Sequence, residues 1–84
     1  MTKPETKVVL GRRFLNDGHE HWLCDTKHGL LTLWLSGGEW KVRLEVTRGF
    51  TKYEVALAQG PDEYVAIFNL QALLRKMAEL EVAE

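Results

Sequence analysis

The chain has 84 residues, of which 45% are hydrophobic and 27% charged, and 11 basic residues against 12 acidic ones give a formal net charge of -1. This length allows one hydrophobic core and therefore one domain, and the composition excludes intrinsic disorder. The balanced charge excludes a global attraction to nucleic acid or anionic membranes, so that any nucleic-acid site would have to be local.

The cysteine content and the apolar runs bear on the compartment. Cys24 is the only cysteine, so an internal disulfide cannot form and a reducing environment is expected. No stretch has the character of a signal peptide or approaches the roughly 20 apolar residues that cross a bilayer. We therefore expect a cytoplasmic protein without membrane association.

The order of turn signals predicts the fold class. Residues 1–6 are polar and include a proline, which indicates a flexible arm ahead of a single α+β domain at residues 7–84. Turn signals then recur about every ten residues. They predict an antiparallel β-meander of five to six strands, with one C-terminal amphipathic α-helix packed on one face. The signals are Asn16-Asp17-Gly18, His28-Gly29, Gly37-Gly38, Arg48-Gly49 and Gly60-Pro61-Asp62.

The first predicted hairpin joins strands at residues 8–15 and 19–25 through the turn at Asp17-Gly18. Its alternation of apolar and polar residues is interrupted at residues 11–13. Such an interruption is typical of a β-bulge or of an edge strand.

The middle hairpin is predicted to turn at Gly37-Gly38. A two-residue loop there places each apolar residue of one strand opposite an apolar residue of the next. The predicted pairs are Leu35 with Trp40, Leu33 with Val42, and Leu31 with Leu44.

A two-residue loop at Arg48-Gly49 is predicted to close the following hairpin. Its apolar pairs would be Leu44 with Tyr53, Val42 with Val55 and Trp40 with Leu57, and its ion pairs Glu45 with Lys52 and Arg43 with Glu54. We favour this register because a slip by one residue would place charged side chains in the core. It requires a positive φ at Arg48, at a cost of about 1 kcal/mol.

Residues 61–68 allow two interpretations. Pro61-Asp62-Glu63 is typical of the first turn of a helix. The aromatic and β-branched residues at 64–68 favour a strand instead, and we adopt the strand. A helix capped by Asn69 would follow. Its buried stripe would contain Leu70, Leu73, Leu74, Met77 and Leu80.

All three histidines and the cysteine fall within residues 19–28. His19 and His21 are candidate metal ligands, since in a strand they would project from one face about 6.6 Å apart. Paired cysteines or a helical histidine pair, which usually mark a zinc site, are missing from the sequence, and we predict neither a metal nor another cofactor. Cys24 has no positioned base and the chain has no phosphate-binding loop, so we predict that it is not an enzyme.

The outer face of the predicted sheet suggests a function. In the strand interpretation Trp34, Ala56, Val65 and Ile67 lie on it, unless the N-terminal hairpin folds over them with Trp22 or Phe14 as a lid. A tryptophan among basic residues is typical of interface hot spots. We therefore predict a protein-binding module of adaptor, regulator or inhibitor type, whose partner is another protein or a second copy. The predicted contacts are Trp34, Lys41, Arg43, Val65 and Ile67.

Two alternative functions use the same segments. A single-stranded nucleic-acid-binding domain would stack bases on Trp34 beside basic residues, although Glu45 and Glu54 neutralise part of that face. Its candidate contacts are Trp34, Lys41, Arg43, Arg48 and Lys52. The second alternative is a small metal-binding domain that uses residues 19–28.

Overall fold

The computed structural model describes residues 5–82, and the side-chain surroundings of residues 5–78. Six strands are followed by one helix, and each strand pairs antiparallel with its neighbour in sequence. The predicted α+β meander with a C-terminal helix is confirmed. The elements are β1 (Thr6–Val9), β2 (Arg12–Asn16), β3 (Trp22–Thr26), β4 (Gly29–Ser36), β5 (Glu39–Arg48), β6 (Thr51–Gly60) and α1 (Glu63–Val82).

Two further predictions concern the N-terminal arm and membrane association. Residues 1–4 of the predicted arm lie outside the described residues, and β1 begins at Thr6. The helix found within residues 5–82 lacks the apolar length needed to span a membrane.

The β4–β5 hairpin has the predicted register. Leu35 lies opposite Trp40, Leu33 opposite Val42, and Leu31 opposite Leu44. The loop residues Gly37 and Gly38 both have positive φ, of 59° and 81°, as a type I′ turn requires.

The N-terminal segment forms two strands where one was predicted. A tight turn at Leu10-Gly11 places Val9 opposite Arg12, so the predicted strand over residues 8–15 is wrong. Leu10 and Gly11 have φ of 50° and 77°. Gly11 adopts this geometry freely, whereas Leu10 accepts a cost of about 1 kcal/mol. Phe14 and Trp22 face α1 within the core region, and the hairpin extends the sheet instead of covering its outer face.

The β5–β6 hairpin differs from its predicted register. Its loop is Gly49-Phe50, with Arg48 opposite Thr51. Gly49 has the positive φ, of 65°, that the prediction assigned to Arg48. A glycine at the first loop position is the requirement of a type II′ turn, and this placement avoids the strain at arginine.

An extra residue in β6 changes the pairing again. Leu44 lies opposite Ala56, while Glu45 lies opposite Glu54, so Val55 is bulged. The shifted loop and the bulge together make the predicted pairs of Tyr53, Val55 and Leu57 wrong, because Tyr53 lies opposite Val46 and Leu57 opposite Arg43. The two predicted ion pairs are also wrong, since Lys52 lies opposite Thr47 and Glu54 opposite Glu45.

The bulge turns the small residues of β6 towards α1. Ala56, Ala58 and Gly60 lie opposite Leu44, Val42 and Trp40 on the inner face, the face that packs against α1. A Cβ at Gly60 would lie 2.7 Å from Cγ1 of Val65 and 2.8 Å from the Ala66 nitrogen. The first turns of α1 thus approach β6 more closely than any residue but glycine allows at this position.

The helix begins earlier than predicted. Asp62 is its N-cap, because Oδ1 accepts a hydrogen bond from the Val65 N–H at 2.8 Å and the Asp62 carbonyl accepts one from Ala66 at 3.1 Å. The predicted strand at 64–68 and the predicted cap at Asn69 are wrong. The cap, together with burial of Ala66 and Ile67, outweighs the β-propensity of this segment.

The sheet curves around the start of α1. The Lys7 ammonium group lies 4.0 Å from the ring centre of Trp22, 4.8 Å from that of Trp40, and 3.1 Å from Oε2 of Glu63. In a flat sheet, β1 and β5 would be roughly 19 Å apart. The lysine therefore joins two distant strands and the helix at one point.

Replacing Gly60 with alanine should lower the free energy of unfolding by about 1–3 kcal/mol, because the added methyl group meets the α1 backbone. Urea denaturation measures the loss. Val65→Ala removes the contact with Cγ1 and leaves the backbone contacts, so it should recover part of the loss in the double variant. Strictly additive effects would contradict the close approach.

Replacing Lys7 with methionine keeps the side-chain length but removes its charge. We expect a loss of about 1–2 kcal/mol in thermal or urea unfolding, with a change in tryptophan fluorescence, whereas Lys7→Arg should remain near wild type. The exposed Lys27 supplies the matched control, and Lys27→Met should change stability by less than about 0.5 kcal/mol. Equal effects at the two positions would show that Lys7 does not join the sheet.

Candidate protein-binding surface

The face of the sheet opposite α1, here called the outer face, carries a row of residues that crosses five strands. Each member lies directly opposite the next on the neighbouring strand. Leu15 and Leu57, towards the ends of this row, are each 47% exposed. A solvated sheet face is normally polar, whereas three of the five residues in this row are leucines. The row consists of Leu15, Leu23, Thr32, Arg43 and Leu57.

Trp34 lies beside this row and is held by two side chains. Its ring centre is 6.0 Å from that of His21, with the planes tilted by 44°. The guanidinium carbon of Arg43 lies 5.2 Å from the Trp34 ring centre, within the range of a cation–π interaction. Arg43 also donates from Nε to Oε1 of Glu45 at 3.1 Å. The half-buried indole is therefore ordered before any partner binds.

The loop between β2 and β3 positions His21. Oδ1 of Asp17 accepts hydrogen bonds from the N–H groups of His19 at 2.9 Å and His21 at 3.3 Å. Oδ2 of Asp17 lies 3.4 Å from Nδ1 of His21. These contacts, the bond from the His19 N–H foremost, lower the pKa of the Asp17 carboxyl. The Asn16 side-chain amide also donates to the carbonyls of His19 and His21, at 3.4 and 3.3 Å. The Asp17 carboxylate and this amide together fix the loop that brings the imidazole to Trp34.

The predicted contact residues are only partly brought together. Trp34 lies directly opposite Lys41, and Arg43 contacts the Trp34 ring. Ile67 is 1% exposed in the core, and Val65 lies on α1 against Gly60. Both residues were assigned to the outer face through the strand at 64–68, which is a helix. Ala56, assigned there with them, is buried on the inner face.

The predicted nucleic-acid contacts also lie in separate parts of the sheet. Arg48 lines a pocket with Val46 and Tyr53, away from Trp34. Lys52 is exposed opposite Thr47, which is six residues and therefore roughly 20 Å along β5 from Lys41. Trp34, Lys41 and Arg43 remain as the basic aromatic cluster.

Three apolar residues of the outer face were missed by the sequence analysis. Leu15 and Leu23 have the opposite parity to the buried Phe14 and Cys24, and this alternation could have identified them. Leu57 could not be found in this way, because the bulge at Val55 reverses the parity of β6.

The histidines and the cysteine within residues 19–28 are poorly placed to bind a metal ion together. His19 is exposed in its loop, and His21 is engaged with Asp17 and Trp34. Within residues 5–82, no three His, Cys, Asp or Glu side chains are grouped to hold a metal. Cys24 is buried, and this burial raises the pKa of its thiol, which disfavours the reactive thiolate.

Comparison with protein-family models, curated proteins and solved structures finds no match to this chain.

Replacing Asp17 with alanine should release His21 from Trp34 at neutral pH. In the wild type the pKa of Asp17 is lowered by folding, so its hydrogen bonds stabilise the loop above the unfolded pKa of about 4. That contribution is lost as the pH falls through the lower, folded pKa. NMR signals of the His21 amide and the Trp34 indole should shift in the same acid range.

Asp25→Ala is the control, because Asp25 is exposed on β3 beyond this loop. It should leave the neutral-pH signals of His21 and Trp34 unchanged. Wild-type signals in Asp17→Ala would show that the carboxylate does not position the imidazole.

Proposed function

We propose that this chain is a non-enzymatic protein-binding module that acts through its outer face. The observation that carries the proposal is the three leucines of this row, of which Leu15 and Leu57 are each 47% exposed, with Trp34 beside them, on a sheet face that no second layer covers among the described residues. The module would act as an adaptor, regulator or inhibitor by covering or bridging a partner's surface.

Burial of this row against a partner would contribute to the free energy of binding. A leucine side chain contributes about 1.5–3 kcal/mol when fully buried, so completing the burial of Leu15 and Leu57 contributes about half of this for each. Trp34 adds an aromatic contact at the centre of the sheet. Because His21 and Arg43 already hold the ring, binding requires little further ordering of it.

The charges beside Trp34 indicate the chemistry of the partner. Arg43 is already bonded to Glu45, whereas Lys41 forms no ion pair among the described residues. A partner that presents apolar side chains to the leucines and a carboxylate to Lys41 would complement both features. Such a carboxylate contributes more to specificity and to the rate of association than to affinity.

Single-stranded nucleic acid is the alternative ligand, favoured by the contact of Arg43 with Trp34 beside Lys41. A base that stacks on Trp34 would have to displace this arginine, which Glu45 already neutralises. The facing pair of Glu45 and Glu54 also repels phosphate. We therefore place protein binding first.

Replacing Trp34 or Leu57 with alanine should weaken binding to the partner at least tenfold, since each substitution removes a contact at the outer face. The immobilised wild-type chain captures candidate partners after nuclease treatment, and titration calorimetry with each purified candidate measures the dissociation constant. Phe68→Ala is the matched control, because Phe68 is an exposed aromatic residue on α1. Circular dichroism checks that each variant is folded.

Two results would contradict the proposed function, and a third would leave the decision to Leu57→Ala. A partner lost with Phe68→Ala but retained with Trp34→Ala and Leu57→Ala would place the surface on α1. Nucleic acid retained without nuclease, with an affinity that falls steeply with salt, would favour the alternative. Unfolding of Trp34→Ala would make Trp34 a core residue and leave Leu57→Ala to decide the location of the surface.

A further inference from the structure

β6 forms one edge of the sheet, and its two halves differ. Near its end, the side-chain amide of Asn69 donates to the carbonyl of Gln59 at 2.9 Å and occupies that edge group. Residues 51–55 are all exposed, and β5 is the only strand beside them among the described residues. The first half of β6 is therefore an open edge.

The hairpin loop determines which main-chain groups face this open edge. In a two-residue loop the flanking residues, Arg48 and Thr51, are hydrogen-bonded to each other. Pairs then alternate between bonded and non-bonded along an antiparallel ladder. Lys52 and Glu54 fall in the non-bonded pairs, so their N–H and C=O groups point away from β5.

We propose that a second copy of this chain pairs with β6 along this edge, antiparallel and centred on Tyr53. Lys52 of each copy then lies directly opposite Glu54 of the other, and the main-chain groups of both are bonded. This interface goes beyond the proposed function, because it uses the edge of the sheet and leaves the outer face of both copies open.

Charge selects this register from its neighbours. Pairing centred on Lys52 would place two lysines in contact, and pairing centred on Glu54 would place two glutamates in contact. Within one copy, Glu54 faces Glu45, and neither Lys52 nor Glu54 forms an ion pair among the described residues. The second copy supplies both with a partner of opposite charge.

Exposed apolar residues are concentrated around the same segment. Phe50 is fully exposed at the loop, and Tyr53 is 52% exposed. Val55 lines a groove of about 460 Å³ under α1 together with Val46. The pairing brings Tyr53 beside its copy and Phe50 opposite Ala56 of the second chain, so the edge contact also removes apolar surface from water.

Charge reversal with sedimentation velocity tests the proposal. The wild type should show a concentration-dependent dimer, and Lys52→Glu or Glu54→Lys alone should raise its dissociation constant at least tenfold, since each turns two attractive contacts into repulsive ones. The Lys52→Glu/Glu54→Lys double variant should restore the dimer. An equimolar mixture of the two single variants should form a heterodimer, because their charges are complementary.

Separate readouts distinguish this interface from a structural role. Glu54→Lys should raise the monomer's melting temperature, because it removes the repulsion with Glu45, while it weakens the dimer. Lys27→Glu, an exposed change in the β3–β4 turn, is the control and should leave the dimer unaffected. Trp34→Ala should also keep the dimer, so failure of the proposed function would not affect this result.

Three outcomes would overturn the proposal. A wild-type chain that stays monomeric at millimolar concentration excludes the dimer. A dissociation constant that neither single charge reversal changes would place the dimer contact elsewhere. A double variant or a mixture as weak as the single variants excludes the register centred on Tyr53.

Discussion

The close approach of α1 to β6 is the constraint on which the rest of the structure depends. Gly60 leaves no room for a side chain beneath the first turns of the helix, and Ala56 and Ala58 continue this small-residue path. They face the helix only because Val55 is bulged out of register. The same bulge places Leu57 on the outer face, whereas the Gly49-Phe50 loop sets the pairing of Glu54 with Glu45. One extra residue therefore shapes both the core and the outer face.

The curvature of the sheet is the second feature on which the fold depends. Lys7 lies between Trp22 and Trp40 and bonds to Glu63, so β1 is held against the start of the helix. A cation that contacts two aromatic rings while paired with a carboxylate is stabilised by attraction to both. The curved sheet encloses α1 on one side and leaves the apolar row uncovered on the other.

The sequence predicted those parts where apolar residues alternate on both strands of a glycine-closed hairpin, and Trp34, Lys41 and Arg43 were placed together for this reason. Residues 55–58 are apolar at both parities, so alternation could not reveal the bulge. The segment at 64–68 has a similar ambiguity, which the Asp62 cap and the contact with Gly60 resolve in favour of a helix. Because these tertiary contacts make the segment helical, Val65 and Ile67 do not lie on the predicted surface.

The order of the elements has a consequence for synthesis of the chain. Every strand pairs with its sequence neighbour, so the sheet can form through short loops as it leaves the ribosome. The helix that covers Leu33 and Val42 emerges after all six strands. Until then the nascent sheet exposes an apolar surface on each side, a state that chaperones recognise. Emergence of α1 covers one of these surfaces, and a chain truncated before α1 would be prone to aggregate.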